Sequence, residues 1–177
     1  CLEGKIEIHL IELGPRILSQ GKAFNQEQSQ RALAQRDVKV HLKTRVLSMT
    51  ADRVDLQTLS HELPYNFSLN HGGLIWTAGI RAVTPNIFPE LALNQGRLSV
   101  DEFLQVKGLE NVFALGDVAI NETDPVPTSA QVAIQQGGVA ATNLLHLRQK
   151  ELLVPFKFFD FGEMLSLGIG EATITAL

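Results

Sequence analysis

Two glutamine side chains, Gln131 and Gln135, are the first residues of this sequence whose type and spacing suggest chemistry. They are four positions apart in the run TSAQVAIQQGG, so a helix places both on one face near its N-terminus. Ala130 beside them is small, and the helix start directs N–H groups and a partial positive charge forward, which favours an electron-rich ligand. The alternative is a glutamine-rich surface helix in which Gly137-Gly138 is a flexible joint.

A glycine and an aspartate, Gly116-Asp117, close a short apolar run over 112–115 that predicts a buried strand. Glycine lets a sugar chain approach the backbone closely, and the carboxylate can accept a hydrogen bond from a hydroxyl group. An isolated Gly-Asp pair is more often an ordinary Asx turn. The pair therefore indicates a binding site only in combination with the helix that follows it.

Glu12 ends a predicted strand over 6–11. In a dinucleotide-binding unit, an acid at this place accepts hydrogen bonds from both hydroxyls of the adenosine ribose and repels a 2'-phosphate. A glycine-rich loop precedes such an acid by about 20 residues, and this chain begins too late to include it. Taken alone, a solvated strand end explains Glu12 equally simply.

The elements that would position these residues alternate between strands and helices. Helices are predicted over 25–36, with Asn25 as the cap, and over 128–148, capped by Thr128 or Ser129. A meander over 46–69 is inserted between them. The other predicted strands cover 38–42, 74–77 (buried on both faces), 112–115, the segment after Pro155, and glycine-interrupted pieces near the C-terminus. This order predicts an α/β fold with a layered nucleotide-binding domain.

Composition excludes several classes of protein. The 177 residues are 45% hydrophobic with a formal net charge of -4, which predicts a folded chain without a nucleic-acid partner. No apolar run reaches the roughly 20 residues of a membrane-spanning helix, and the five histidines show no paired metal-ligand spacing, so no metal site is predicted. Trp76 and the phenylalanine-rich segment 156–161 are expected to fill core.

Four longer segments resemble a known family. VFALGDVA followed by PTSAQVAIQQGGVAATNLL closely resembles the type II NADH dehydrogenases, the members of the two-dinucleotide flavoprotein superfamily that do not pump protons. LIWTAGIRAVTP looks like the strand at which that family's NADH domain returns to its FAD domain, and IHLIELGPRIL like the strand with the ribose-binding acid. FFDFGEMLSLGIGEATI is similar to the start of its C-terminal domain.

The resemblance implies roles for individual residues. Asp117 would bind the ribityl chain of FAD, Ala130 and Gln131 would lie against the isoalloxazine ring, and Gln131 with Gln135 would lie near the quinone headgroup. Glu12 would favour NADH over NADPH. The implied cofactor-binding residues are Glu12, Gly79, Gly116, Asp117, Ala130 and Gln131, and no catalytic acid or base is identified.

The resemblance also implies an organisation. The fold would be an incomplete two-dinucleotide-binding (FAD/NAD(P)-binding, Rossmann-like) flavoprotein fold, with 1–79 from the NAD-binding domain, 80–150 from the FAD-binding domain and 151–177 starting the C-terminal domain. The implied enzyme is an FAD-dependent NADH:quinone oxidoreductase on the cytoplasmic face of a membrane. It would be attached peripherally through segments absent here, with a homodimer as one arrangement. We expect the chain alone to be inactive.

Departures from the family pattern keep alternatives open. Both glycine-rich dinucleotide loops are absent, and Asp37 stands where the family often has a glycine. Another reductase of the superfamily, such as a ferredoxin-type enzyme, fits part of the pattern, whereas a disulfide reductase would need a C-terminal His-Glu pair that is not recognisable. A non-catalytic interaction or dimerisation module is the alternative from a different class.

Overall fold

A computed structural model of the chain describes residues 6–59, 63–84 and 93–175. They form two compact units, Cys1–Thr77 with Phe161–Leu177 (unit 1) and Ala78–Asp160 (unit 2). The composition of segment 81–108 predicts the domain crossing there, and its prolines at 85 and 89 lie outside the described residues. Which cofactor each part of the chain would bind stays a prediction.

Unit 1 begins with a parallel strand pair joined through a helix. Strand β1 (His9–Ile11) pairs in parallel with β2 (Lys39–His41), and helix α1 (Ala23–Gln35) connects them. Parallel strands require such a crossover because their ends lie at opposite edges of the sheet. The β-α-β start that the sequence predicts is therefore confirmed.

The N-terminus of α1 is capped from a distant part of the chain. The predicted cap residue, Asn25, is wrong, because Asn25 lies inside the first turn and is fully buried. The Glu163 carboxylate instead accepts hydrogen bonds from the Lys22 N–H at 3.0 Å and from Asn25 Nδ2 at 2.6 Å. A carboxylate at this position satisfies unpaired donors and complements the positive end of the helix dipole.

The C-terminus of α1 has the hydrogen bonds of a Schellman motif. The Val38 N–H donates to Leu33 O at 3.0 Å, and the Asp37 N–H donates to Ala34 O at 3.1 Å. Asp37 has φ 55, in the left-handed region that favours glycine. The turn thus keeps the geometry of a glycine cap although the residue is aspartate.

The predicted antiparallel meander is confirmed. Strands β3 (Thr44–Met49), β4 (Arg53–Thr58) and β5 (Asn66–Asn70) form a three-stranded sheet in that order. The buried side chains of Val54 and Leu56 form the core-facing side of this sheet, because alternate residues of β4 face inward.

One carboxylate joins the three strands on the other face of the meander. Asp55 accepts hydrogen bonds from Ser48 Oγ at 2.6 Å, Ser68 Oγ at 2.7 Å and Arg53 Nε at 2.7 Å. The two serine hydroxyls and then Arg53 lower the pKa of Asp55 to about 2.

The glycine-interrupted C-terminal strands are also confirmed. Strands β9 (Glu163–Gly168) and β10 (Glu171–Thr175) form an antiparallel hairpin, in which Gly168 has φ 142 and Gly170 has φ 77. The hairpin packs on α1, where Arg36 pairs with Glu171 at 2.7 Å.

Unit 2 combines a small sheet with one long helix. Strands β6 (Leu93–Asn94), β7 (Arg97–Ser99) and β8 (Ala119–Ile120) form the sheet, with β7 and β8 parallel, and helix α2 spans Ala130–Gln149. Ser129 caps α2 as predicted, since its Oγ accepts the Val132 N–H at 3.2 Å. The buried core consists of Val100, Leu104, Val106, Ala114, Ala119 and Ala140.

Three strand predictions are wrong. Residues 74–77 form no strand, and Trp76 is 57% exposed rather than core. Residues 112–115 make only a single bridge, Phe113 to Gln105, and 151–162 have no regular structure. A strand needs a neighbouring backbone for its hydrogen bonds, and none of the described strands pairs with these segments.

The phenylalanine-rich segment is only partly core. Phe156 packs against the buried cluster of unit 2, whereas Phe159 is 65% and Phe161 71% exposed. Over the described ranges, no helix has both the length and the apolarity to span a membrane.

Replacing Asp37 with glycine should stabilise the protein. Glycine removes the cost of a left-handed aspartate, so Asp37→Gly should raise the free energy of unfolding by about 0.5 to 1 kcal/mol, measured by urea denaturation. The β-branched Asp37→Val should change it in the opposite direction. Equal stability of the three proteins would contradict the motif.

Asp55 should make stability depend on pH in the acid range. Its pKa is lowered on folding, so its contribution is complete above about pH 4 and is lost as the pH falls through about 2. Asp55→Asn should therefore reduce stability at pH 7 and flatten the stability profile between pH 4 and 2, as followed by urea denaturation across pH. A variant with the unchanged acid profile would refute the assignment.

Candidate functional site at the start of helix α2

The predicted Gly-Asp pair lies in a tight turn against α2. Residues Gly116–Val118 form one 3-10 turn after a short extended segment, and Gly116 has φ 67. A Cβ atom at Gly116 would lie 3.3 Å from the Cβ of Ala133 on α2. Both the left-handed backbone and this close approach require glycine here.

A buried glutamine fixes the turn. The Oε1 atom of Gln136 accepts a hydrogen bond from the Gly116 N–H at 2.6 Å, and Gln136 is only 5% exposed. The Gly116 N–H is part-buried, and the amide of Gln136 gives it a hydrogen-bond partner and also positions the turn. The sequence interpretation chose Gln131 and Gln135 and missed Gln136.

A signal for Gln136 was present in the sequence. The buried face of α2 carries Val132, Gln136, Ala140 and Asn143, which follow helical spacing. A glutamine on the same face as Val132 and Ala140 is expected to bond to backbone, because a buried amide needs partners.

The turn and the helix start share a cavity of about 290 Å³ within unit 2. Its lining includes Gly116, Ser129, Val132 and Gln136, with Arg97 and the loop 125–128. The first turn of α2 supplies N–H groups and a partial positive charge to this region. The volume is at the lower end of small-molecule sites, and its lining offers polar groups at one end.

The other residues predicted for this site do not line the cavity. Asp117 is exposed and does not line the cavity, and Ala130 is exposed at the first position of α2. Gln131 is partly buried. The backbone turn at Gly116, rather than the Asp117 carboxylate, therefore faces the cavity.

Gln135 is engaged with the backbone of Phe159. Its Nε2 donates to Phe159 O at 2.9 Å, and its Oε1 accepts the Phe159 N–H at 3.0 Å. This paired bond holds the coil after α2 against the helix. In this arrangement Gln135 orients Phe159 with both polar atoms of its amide.

Gly79, at the start of unit 2, has φ 84, and a Cβ there would meet nothing within 4 Å. Its requirement for glycine comes from the backbone conformation alone.

In unit 1, Glu12 directly follows β1. Its Oε1 accepts the Gly14 N–H at 2.6 Å, and its backbone bridges to the neighbouring segments, with Glu12 N donating to His41 O at 2.9 Å. Among the residues that the structure describes, the second carboxylate oxygen makes no hydrogen bond. Glu12 is thus oriented at the carboxyl end of a parallel strand, where α/β sheets bind ligands.

The fold is that of a class of nucleotide-binding oxidoreductases. The profile of the pyridine nucleotide-disulphide oxidoreductase family matches residues 3–137, and the chain belongs to that family. The predicted α/β, FAD/NAD(P)-binding fold is therefore confirmed.

Individual relatives are similar over nearly the whole chain. The demethylphylloquinone reductase NdbB of Synechocystis sp. is 35% identical over 176 residues, covering 96% of this chain and 42% of that protein. The type II NADH:quinone oxidoreductase of Staphylococcus aureus is 27% identical over 173 residues, covering 94% and 41%. The chain spans less than half the length of these curated relatives.

Solved structures show the same fold. The NDH2 of Plasmodium falciparum in complex with NADH has a TM-score of 0.79 at 17% identity, covering 97% of this chain and 50% of that one. The sulfide:quinone oxidoreductase of Aquifex aeolicus has a TM-score of 0.68 at 16% identity, covering 96% and 42%.

Removing the Gln136 amide should destabilise unit 2. Gln136→Leu leaves the part-buried Gly116 N–H without its partner, which should cost about 1 kcal/mol of unfolding free energy in urea. Gln149→Leu, at the exposed end of the same helix, is the matched control. Equal losses in the two variants would show that the Gly116 turn does not depend on Gln136.

Proposed function

We propose that this chain is part of a flavoenzyme that transfers electrons from NADH through FAD to a quinone, without proton pumping. The observation that carries the proposal is the Gly116 turn, which Gln136 holds against the start of α2 beside a cavity. The family match and the similarity to a demethylphylloquinone reductase and a type II NADH:quinone oxidoreductase support the same proposal.

Unit 2 would supply the flavin side of the site. Its residues fit the group, because the left-handed Gly116 removes a side chain where a sugar chain must approach, and the capped helix start offers N–H groups to an electron-rich ring. We assign the ribityl chain to Gly116 and Asp117, and the ring edge to Ala130 and Gln131. Bound FAD would supply the hydride acceptance and electron release that no side chain of this chain can perform.

Unit 1 would supply the nicotinamide-nucleotide side. Glu12 presents a carboxylate with one oxygen fixed by Gly14 and the other without a hydrogen bond in the described part of the chain. Such a group accepts hydrogen bonds from the two ribose hydroxyls of NADH and repels the 2'-phosphate of NADPH. We therefore assign NADH as the electron donor. Gly79, at the start of unit 2 and with open space beside its Cα, is the remaining proposed cofactor contact.

A quinone is the proposed acceptor, and Gln131 is the residue that would orient it. Gln135 would act through Phe159, because its amide holds that backbone in place. Since quinones are lipid-soluble, we place the intact enzyme peripherally on the cytoplasmic face of a membrane, attached by segments outside this chain. A homodimer is the proposed assembly.

Gln131→Leu in the intact enzyme should impair quinone reduction selectively. Loss of one hydrogen bond to the acceptor should lower kcat/KM for the quinone about tenfold. NADH oxidation with a soluble acceptor such as ferricyanide should fall less than quinone reduction, and the bound flavin is quantified in each variant because Gln131 is also assigned to the ring edge. Gln149→Leu is the matched control, and unaltered quinone kinetics in Gln131→Leu would remove its role.

A further inference from the structure

Two histidines join the parallel strands of unit 1 through their side chains. His9 Nδ1 and His41 Nε2 are 2.9 Å apart, on β1 and β2 respectively. The other ring nitrogen of His9, Nε2, lies 2.8 Å from the Glu7 carboxylate, which also pairs with Lys39. Carboxylate, imidazole and imidazole thus form one hydrogen-bonded chain.

The two rings are placed so that they can share one proton. Their planes differ by 15°, and their centroids are 5.2 Å apart. The distance between the centroids exceeds the nitrogen–nitrogen distance by about one ring diameter, which is one ring radius for each imidazole. The two rings therefore meet end to end, with the two nitrogen atoms pointing at each other. One N–H can lie on that line. A second proton would put two donors, on two cations, face to face.

His41 also holds the backbone of Glu12, together with Thr44. The Glu12 N–H donates to His41 O at 2.9 Å, and Glu12 O accepts the Thr44 N–H at 3.0 Å. His41 therefore fixes Glu12 with its main chain, while its ring fixes the strand that precedes Glu12. Loss of the ring contact would loosen the strand pairing that aims the carboxylate.

The surroundings of the pair disfavour a second positive charge. Phe67 of β5 packs on His41 with centroids 5.8 Å apart, and Tyr65 packs in turn on Phe67. The charged groups facing the pair are Glu7 and Lys39, which neutralise each other. Partial burial, and then the charges of His9 and Lys39, lower the pKa of His41 below its ordinary value.

We infer that His9 and His41 form a histidine clasp, a shared-proton contact that keeps Glu12 in position near neutral pH and opens on acidification, so that NADH binding weakens. The inference rests on the proposed function for its ligand. The sign follows from proton counting. In acid the open strands can bind two added protons, one on each ring, whereas the closed clasp binds at most one, so acidification favours opening.

The clasp itself can be tested without any nucleotide. In the intact protein labelled with ¹⁵N-histidine, the His9 and His41 rings should take up their protons in two separate, mutually dependent steps. The exchange rate of the Glu12 amide should rise, beyond the intrinsic pH trend, across the second step. His41→Gln keeps a neutral amide in place of the ring and should abolish both effects, whereas His146→Gln in unit 2 should not. Independent titration of the two rings would overturn the clasp.

The effect of the clasp on nucleotide binding is measured in a separate experiment. The Kd for NAD⁺, the oxidised form of the proposed donor, which cannot reduce the flavin, should rise about tenfold between pH 7.5 and pH 5.5 in the parent protein and stay flat in His41→Gln. A pH-independent Kd in the parent protein would overturn the inference even if the rings titrate in two steps. Absence of NAD⁺ binding at every pH, with the clasp intact, would instead refute the proposed donor.

Discussion

The hydrogen bond from the Gly116 N–H to the buried Gln136 amide is the constraint on which the candidate flavin site depends. It joins a left-handed turn to the second turn of a helix, at a place where a Cβ on residue 116 would lie 3.3 Å from the Cβ of Ala133. Gly116, Gln136 and the helix cap Ser129 all line the same cavity, and Ser129 has its own bond to the Val132 N–H. A site built in this way is preorganised, because the polar group that positions the backbone is itself held in the core.

Polar side chains fix other irregular segments of the protein in the same manner. The amide of Asn143, fully buried on the same helix face, bonds to Phe103 O at 3.0 Å and to both backbone groups of Val154. Gln135 pairs with the backbone of Phe159, and Glu163 caps α1. Each side chain replaces a hydrogen bond that a regular element would have supplied. This explains how coil segments such as 151–162 hold a defined path without strand neighbours.

The sequence predicted those parts of the structure that depend on local pattern. Alternation identified β3 to β5, the Ser129 cap marked the start of α2, and glycine spacing marked the hairpin at 163–175. It did not predict what depends on distant residues. Asn25 is a strong cap type, yet Glu163 caps α1, and the apolar run at Trp76 remains exposed because no described strand pairs with it. The sequence directed attention to the start of α2, but helical period alone did not distinguish Gln136, which faces the core, from Gln131 and Gln135.

The most direct test of the account is a crystal structure of the intact, flavin-loaded enzyme at a resolution that shows hydrogen-bond lengths. The account predicts a ribityl hydroxyl within hydrogen-bond distance of the Asp117 side chain or the Gly116–Asp117 backbone, and the Gln136 bond to Gly116 preserved. A flavin bound elsewhere, with the turn at residue 116 in contact only with protein, would contradict it.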